Sequence, residues 1–532
     1  MPEFDYIVVG GGSSGCVVAA RLSENPANKV LLIESGGEDK NRWIHIPATF
    51  FKVMEGGKDV QVYASEPEKN LNGRPNLIPQ GHVIGGGSSV NAMIYVRGAA
   101  DDYNTWAQMG NRNWSYEKVL PVFRDLEGNQ SISDEFHGTK GPLSVSDKRY
   151  GHPLCAAFVE AAHQVGMPVN SDFNGKTQEG AGFYQVTTSG GRRWSAAMAF
   201  LRDAERRPNL SVKTHARVAR ILFEGKRATE VELESGERIS SRRDIVLCAG
   251  ALATPKLLQL SGIGNGKELK ALGIDVVADV PGVGENYQDH MEAPVQGESI
   301  HPISMLGQDK GLRAARHMAQ YLLNKTGLLS STVVECGGFA DVSDTGQPDI
   351  QFHVLPVLVG FIDRAPEAGH GISIGPCILR PKSRGTVKLR SSNSKDPAFF
   401  KSNAFADESD LDTLVRGVKL GIRILEAPAL AKIIKRRLLP KPGVEADPKA
   451  LADYVRSTAK TVFHPAGTCK MGPATDKMAV VDETLKVRGV EGLRVADVSI
   501  MPTLVSGNTN APTMMLADVA MTMMINDIGE VA

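Results

Sequence analysis

Gly10, Gly12 and Gly15 stand as GxGxxG between an apolar run, Tyr6–Val9, and a helix-forming run, Val17–Leu22. The first glycine permits a tight turn, the second lets backbone approach a pyrophosphate, and the third lets helix and strand pack closely. Ser13 and Ser14 open the helix, whose N-terminal amides carry the positive end of its dipole. Glu34 ends a second apolar run, Val30–Ile33, where a carboxylate can accept both hydroxyls of a ribose. A glycine triplet alone would be an ordinary turn. Strand, turn, helix, strand and acid in register predict a bound dinucleotide.

That fingerprint serves FAD and NAD alike, and other segments decide between them. A second glycine turn, Gly81–Asn91 (GHVIGGGSSVN), contains Gly86, Ser88 and Ser89 and frees backbone to approach another part of a large cofactor. Asp497, at the end of GLRVAD, is placed to contact a ribityl or pyrophosphate group. Three separated segments suit a long FAD better than NAD. Taken singly, each of the last two is equally an ordinary turn.

His464, in FHPAGTCKMG, is the candidate general base, since imidazole titrates near neutral pH. Asn508 and Asn510 lie in GNTN before an apolar helix, where a side-chain amide commonly caps. Asn510 can also present its amide to a substrate oxygen. His290 reads as a loop-orienting residue, and His353 faces either core or pocket. Glu335 either attracts a cationic substrate or is solvated. No HxxxH or HExxH pair occurs, so no metal is expected.

These residues need a frame of strands and helices. The βαβ unit of Tyr6–Glu34 is followed by an aperiodic excursion over about 41–76. Leu210–Val218 alternates like a strand pair, Asp244–Cys248 is a buried strand, and Val334–Arg390 alternates as antiparallel strands do. Leu411–Leu425 and Pro448–Ser457 are amphipathic helices. A strand at Leu493–Val495 precedes a long apolar helix at Pro512–Ile525.

Bulk properties narrow the partners. The 532 residues hold 60 basic and 60 acidic side chains, a balance that argues against nucleic acid or an anionic membrane as the main partner, although a local basic patch is hidden in such a sum. The basic cluster Ile433–Lys441 reads as a solvated helix end. No run of 18 apolar residues exists, and the start reads as a first strand rather than a leader. Six scattered cysteines without CxxC spacing suit a reducing, cytoplasmic setting.

Over essentially its whole length the chain resembles the glucose–methanol–choline (GMC) oxidoreductases. The likeness is carried by GGGSSGCVVAARLSENPANKVLLIESGG, GHVIGGGSSVNAMIYVRG, GALATPKLLQLSGIG, and HPAGTCKMG with VADVSIMPTLVSGNTNAPTMM; PGVGENYQDH adds to it. The resemblance implies an α/β fold, a Rossmann-like FAD-binding domain with an inserted α+β substrate domain on a six-stranded antiparallel sheet. Cofactor segments would be 1–155, 205–295 and 456–532, and substrate segments 156–204 and 296–455. It implies hydride transfer from a primary alcohol to flavin N5, with oxygen or another acceptor restoring the FAD, as in choline dehydrogenase-like and pyridoxine 4-oxidase-like members. His464 becomes the base, and Asn510 falls where members place a second His or an Asn. Asn91 and Ala92 would lie beside the flavin ring and the Val218 backbone against the FAD, with Gly86, Ser88 and Asn508 also on the cofactor side. Some relatives tether the flavin through a histidine where this chain has Val90, so the FAD is expected to be non-covalent. Most members carry Arg or Lys where this chain has His82, which leaves the charge there unassigned. An FAD-containing hydroxynitrile lyase and an NAD-dependent dehydrogenase are the alternatives.

Overall fold

Tyr6–Val9 is buried along its whole length, as a strand covered on both faces must be. The computed structural model, which describes residues 3–54, 57–360 and 365–529 (side chains to 525), sets this strand in a five-stranded sheet. The order is Leu210–Lys213, Val30–Ile33, Tyr6–Val9, Ile245–Leu247, Leu493–Val495, all parallel. Ile7 and Val8 are fully enclosed, each contributing roughly 1.5–3 kcal/mol of apolar burial. Helix Ser13–Leu22 leaves the first strand at once, because Gly15 has no side chain. A Cβ there would sit 1.8 Å from the Gly10 carbonyl oxygen. The helix packs on Asn510–Gly529, whose Met514, Met515, Leu516 and Ala517 are all fully buried. A helix apolar all round belongs inside a core, and this one lies there.

A second sheet runs Glu3–Phe4, Arg238–Ser241, Arg227–Leu233, Val218–Glu224. Leu210–Val218 is therefore not a strand pair: Leu210–Lys213 joins the parallel sheet, and Val218 begins a strand of this other one. The largest sheet is antiparallel and has eight strands. Six follow one path: Ile434–Leu439, Val295–Ser299, Gly371–Ile378, Ile350–Leu355, Cys336–Ala340 and Gly180–Phe183. The short strands Met291–Glu292 and Lys460–Thr461 join it off that path, so the chain enters this sheet before residue 295 and touches it again after 455. Helix Glu408–Glu426 packs over it, with Gly417 against Ile350.

Two readings change. Ile433–Lys441 is mostly an edge strand rather than a helix end, with Lys435 and Arg436 paired to Glu298 of the neighbouring strand. Charged side chains on an edge strand discourage pairing with another chain. The excursion near 41–76 contains helices Arg42–His45 and Phe50–Met54, and Val60–Ala64 pairs with Leu77–Gly81. All six cysteines are free and buried.

Candidate active site

A cleft runs from the glycine turn of the parallel sheet to the wall of the antiparallel one. Gly10, Gly12, Ser13 and Ser14 line one end. No side chain caps the helix that starts at Ser13, and a Cβ on Gly12 would meet nothing nearer than 3.9 Å. Uncapped amides beside open space are an anion cradle. Glu34 also lines the cleft, each carboxylate oxygen accepting one backbone amide at 2.7 Å, from Gly11 and from Gly36. Those bonds fix its orientation and leave further lone pairs for ribose hydroxyls. Gly86, Asn91 and Ala92 line the cleft farther along. These features fit FAD.

Three residues of the expected cofactor set do not line the cleft. Gly15 is spent on helix–strand packing. The Ser88 hydroxyl donates to Gly85 O and accepts from Ala196 N, so it shapes the second turn from behind. Val218 pairs with Leu233 in its sheet, and its neighbour Arg217 lines the cleft instead. Asp497 does line the cleft, but its carboxylate is occupied by Gly250 N, Thr254 Oγ1 and Ser499 N. It orders the turns around the cofactor end rather than offering a free carboxylate. Arg217 Nη2 lies 3.5 Å from His82 Nε2 and donates to Gln61. Arg217, 135 residues further along the chain, thus brings a cation beside His82, which motif spacing could not reveal.

At the far end His464 meets His290, Nδ1 to Nδ1 at 2.9 Å. One of these nitrogens must carry hydrogen, and the surroundings decide which. His290 Nε2 lies 3.0 Å from the Leu379 carbonyl, which can only accept, so Nε2 carries the His290 proton. Burial drives the His290 pKa down to about 3, so the ring stays neutral and its Nδ1 is an acceptor. His464 Nδ1–H therefore donates to it, and His464 Nε2 carries no proton and can accept one. Burial, and then the neighbouring His290 and His353, hold the His464 pKa well below the ordinary histidine value. His290, read as a loop-orienting residue, is thus the partner that orients the His464 ring. Asp289 holds the pair together, accepting the backbone amides of both histidines and the hydroxyls of Tyr287 and Thr461.

Asn508, not Asn510, faces His464. Gln351 Nε2 donates to Asn508 Oδ1 at 3.1 Å, which turns the amide nitrogen toward His464 Nε2, 3.4 Å away. Asn510 accepts from Ser13 Oγ at 2.9 Å, at the cofactor end. The chain bends into its helix at residue 510, so asparagines two apart face different neighbours. Phe463 and Met93 line the cleft with left-handed φ of 70° and 61°, local strain of the kind that collects at working sites.

The remaining wall is apolar, from Phe50, Phe51, Met54, Val334, Leu355 and Phe463, with one polar cluster of Glu292, His353 and Lys460. Glu292 accepts from His353 Nδ1 at 3.0 Å and pairs with Lys460 at 3.6 Å. Burial alone would raise its pKa, but Lys460 and His353 outweigh that and hold it below the usual carboxylate range. Glu335 is neither solvated nor in the cleft. It is fully buried, held by Ser331 and the His152 amide.

Residues 4–292 and 381–517 match the N- and C-terminal parts of the GMC oxidoreductase family, and the chain belongs to that family. It is 40% identical to an alcohol dehydrogenase [acceptor] of Pseudomonas putida, over 99% of this chain and 96% of the relative. It is 42% identical to human mitochondrial choline dehydrogenase, over 97% and 89%. Among solved structures, pyridoxine 4-oxidase from Mesorbium loti superposes with a TM-score of 0.88 at 30% identity, over 98% and 99%. The chain is an FAD-dependent oxidoreductase acting on alcohols.

Proposed function

We propose that the enzyme oxidises an uncharged primary alcohol to the aldehyde, with oxygen or another acceptor receiving the electrons afterwards. The observation that carries this is the one-way hydrogen-bond chain Leu379 C=O, His290, His464, which leaves His464 Nε2 unprotonated at the cleft beside the Asn508 amide. His464 Nε2 takes the hydroxyl proton, and the Asn508 amide donates to the developing alkoxide. Bound FAD supplies the two-electron acceptor for the hydride leaving the alcohol carbon. Gly12–Ser14, Glu34, Asn91 and Ala92 hold the FAD, and Asn510 steadies Ser13 beside the first turn. The parallel-sheet segments, about 1–155, 205–295 and 456–532, serve as the cofactor unit, and 156–204 with 296–455 as the substrate unit. Six free buried cysteines support a reducing, cytoplasmic setting.

The preference for an uncharged alcohol rests on Glu292. A carboxylate already matched by Lys460 and His353 has little charge left for a cationic headgroup, and the rest of the wall is apolar. Anaerobic mixing with a primary alcohol should bleach the flavin. His464→Ala should retain flavin and slow the bleaching by ~10²–10⁴-fold. Unchanged bleaching in that variant would remove His464 from the reaction.

A further inference from the structure

Residues 300–323 carry more exposed apolar surface than any other stretch of the molecule described. Six of the eleven large apolar side chains most open to solvent lie here: Ile300, Ile303, Leu306, Leu312, Leu322 and Leu323. Leu312 is 89% exposed and Leu323 is 81% exposed. Helix Gly311–Asn324 is attached by its other side, through buried Tyr321, whose hydroxyl donates to Gly191 O. Leu312, Ala315, Ala319 and Leu323 recur at helical spacing on the side opposite Tyr321, and all four are exposed. A water-facing helix should place its polar residues there. This one is inverted.

The charge around that stripe is one-sided. Lys310, Arg313, Arg316 and Lys325 flank it, and Asp309 is the sole acid between residues 300 and 325, in a chain whose total is zero. Among the described residues, no carboxylate pairs with Lys310, Arg313 or Arg316. Leucines on one side with unpaired cations at the margin match a lipid interface, apolar below and anionic at the headgroups. They do not match a second copy of this chain. A two-fold contact through one patch sets it against itself, arginines facing arginines.

We propose that this face docks the enzyme on an anionic lipid surface. The helix lies in the headgroup plane, with Leu312, Leu322 and Leu323 inserted and Lys310, Arg313 and Arg316 at the phosphates. The face continues toward the active site. Met305, like Phe51 and Met54, packs against the apolar cluster that includes the cleft residues Phe50, Val334 and Leu355, and Leu328–Ser330 packs on Pro47–Thr49. Docking here sets the apolar side of the cleft next to the bilayer.

Flotation of the flavin-loaded enzyme tests this, using vesicles of phosphatidylcholine alone or of equal parts phosphatidylcholine and phosphatidylglycerol. The enzyme should float with the mixed vesicles, less so as salt rises, and far less with phosphatidylcholine alone. Leu312→Ser with Leu323→Ser should cut partition by about tenfold or more. Arg313→Glu with Arg316→Glu should abolish the preference for the anionic vesicles. Flavin content and alcohol turnover in buffer check that the variants are folded. Wild-type enzyme left at the bottom with both vesicles overturns the proposal. So does leucine-variant flotation equal to wild type, or a vesicle-free dimer that the leucine variant dissolves.

Discussion

The two ends of the cleft are built in opposite ways. The heart of the cofactor end is local: Gly10, Gly12, Ser13 and Glu34 come from one strand–helix–strand unit, and their spacing alone places them. The catalytic end is assembled: His290, Gln351, Leu379, His464 and Asn508 come from five separate segments spanning more than 200 residues. A local site can be read from a motif. An assembled one shows its residue types in sequence but not its pairings.

The contrast can be broken or sharpened by experiment. The largest effect concerns the second glycine turn, where Val90 offers no nucleophile to the flavin. Acid precipitation should release all the yellow colour into the supernatant; colour that stays with the denatured chain contradicts a non-covalent cofactor. Next, Asn508→Ala should lower kcat/KM for a primary alcohol by ~10²-fold, the usual cost of losing one oxyanion donor. Asn510→Ala should instead loosen FAD and leave the rate per bound flavin within a few-fold. The reverse pattern would return the substrate-facing role to Asn510.

Glu34→Ala should weaken FAD retention by roughly tenfold or more, the scale of hydrogen bonds to a charged group, with no change in substrate preference. Full flavin after long dialysis would remove Glu34 from the ribose. The smallest effect is at the wall. Wild type should favour 3,3-dimethylbutan-1-ol over choline, which has the same shape with a charge. Lys460→Met should free Glu292 and shift that ratio toward choline by several-fold. A ratio that stays fixed would mean that Glu292 does not read substrate charge.

Much of the fold was legible. Tyr6–Val9 and Val30–Ile33 are uniformly apolar because both faces are covered, and such strands announce themselves. Ile434–Leu439 did not, since its edge position tolerates Lys435 and Arg436, and the basic run masked the strand. His464 was legible as a type in a context. His290 was not, because its value lies in the Leu379 carbonyl beyond it, which no spacing encodes. Asn508 and Asn510 were interchangeable on paper, and Gln351 and Ser13 separate them. Arg217 was hidden because its partner His82 lies 135 residues away along the chain.

The central claim is a proton's address. Nitrogen-15 spectra of histidine-labelled holoenzyme, with His464→Ala and His290→Ala for assignment, read it directly. At pH 7 His464 should carry its proton on Nδ1 and leave Nε2 bare. Followed toward acid it should stay neutral below about pH 6.5, the ordinary histidine value, because burial and its histidine neighbours disfavour the cation. A proton on His464 Nε2, or an imidazolium at neutral pH, would contradict the account.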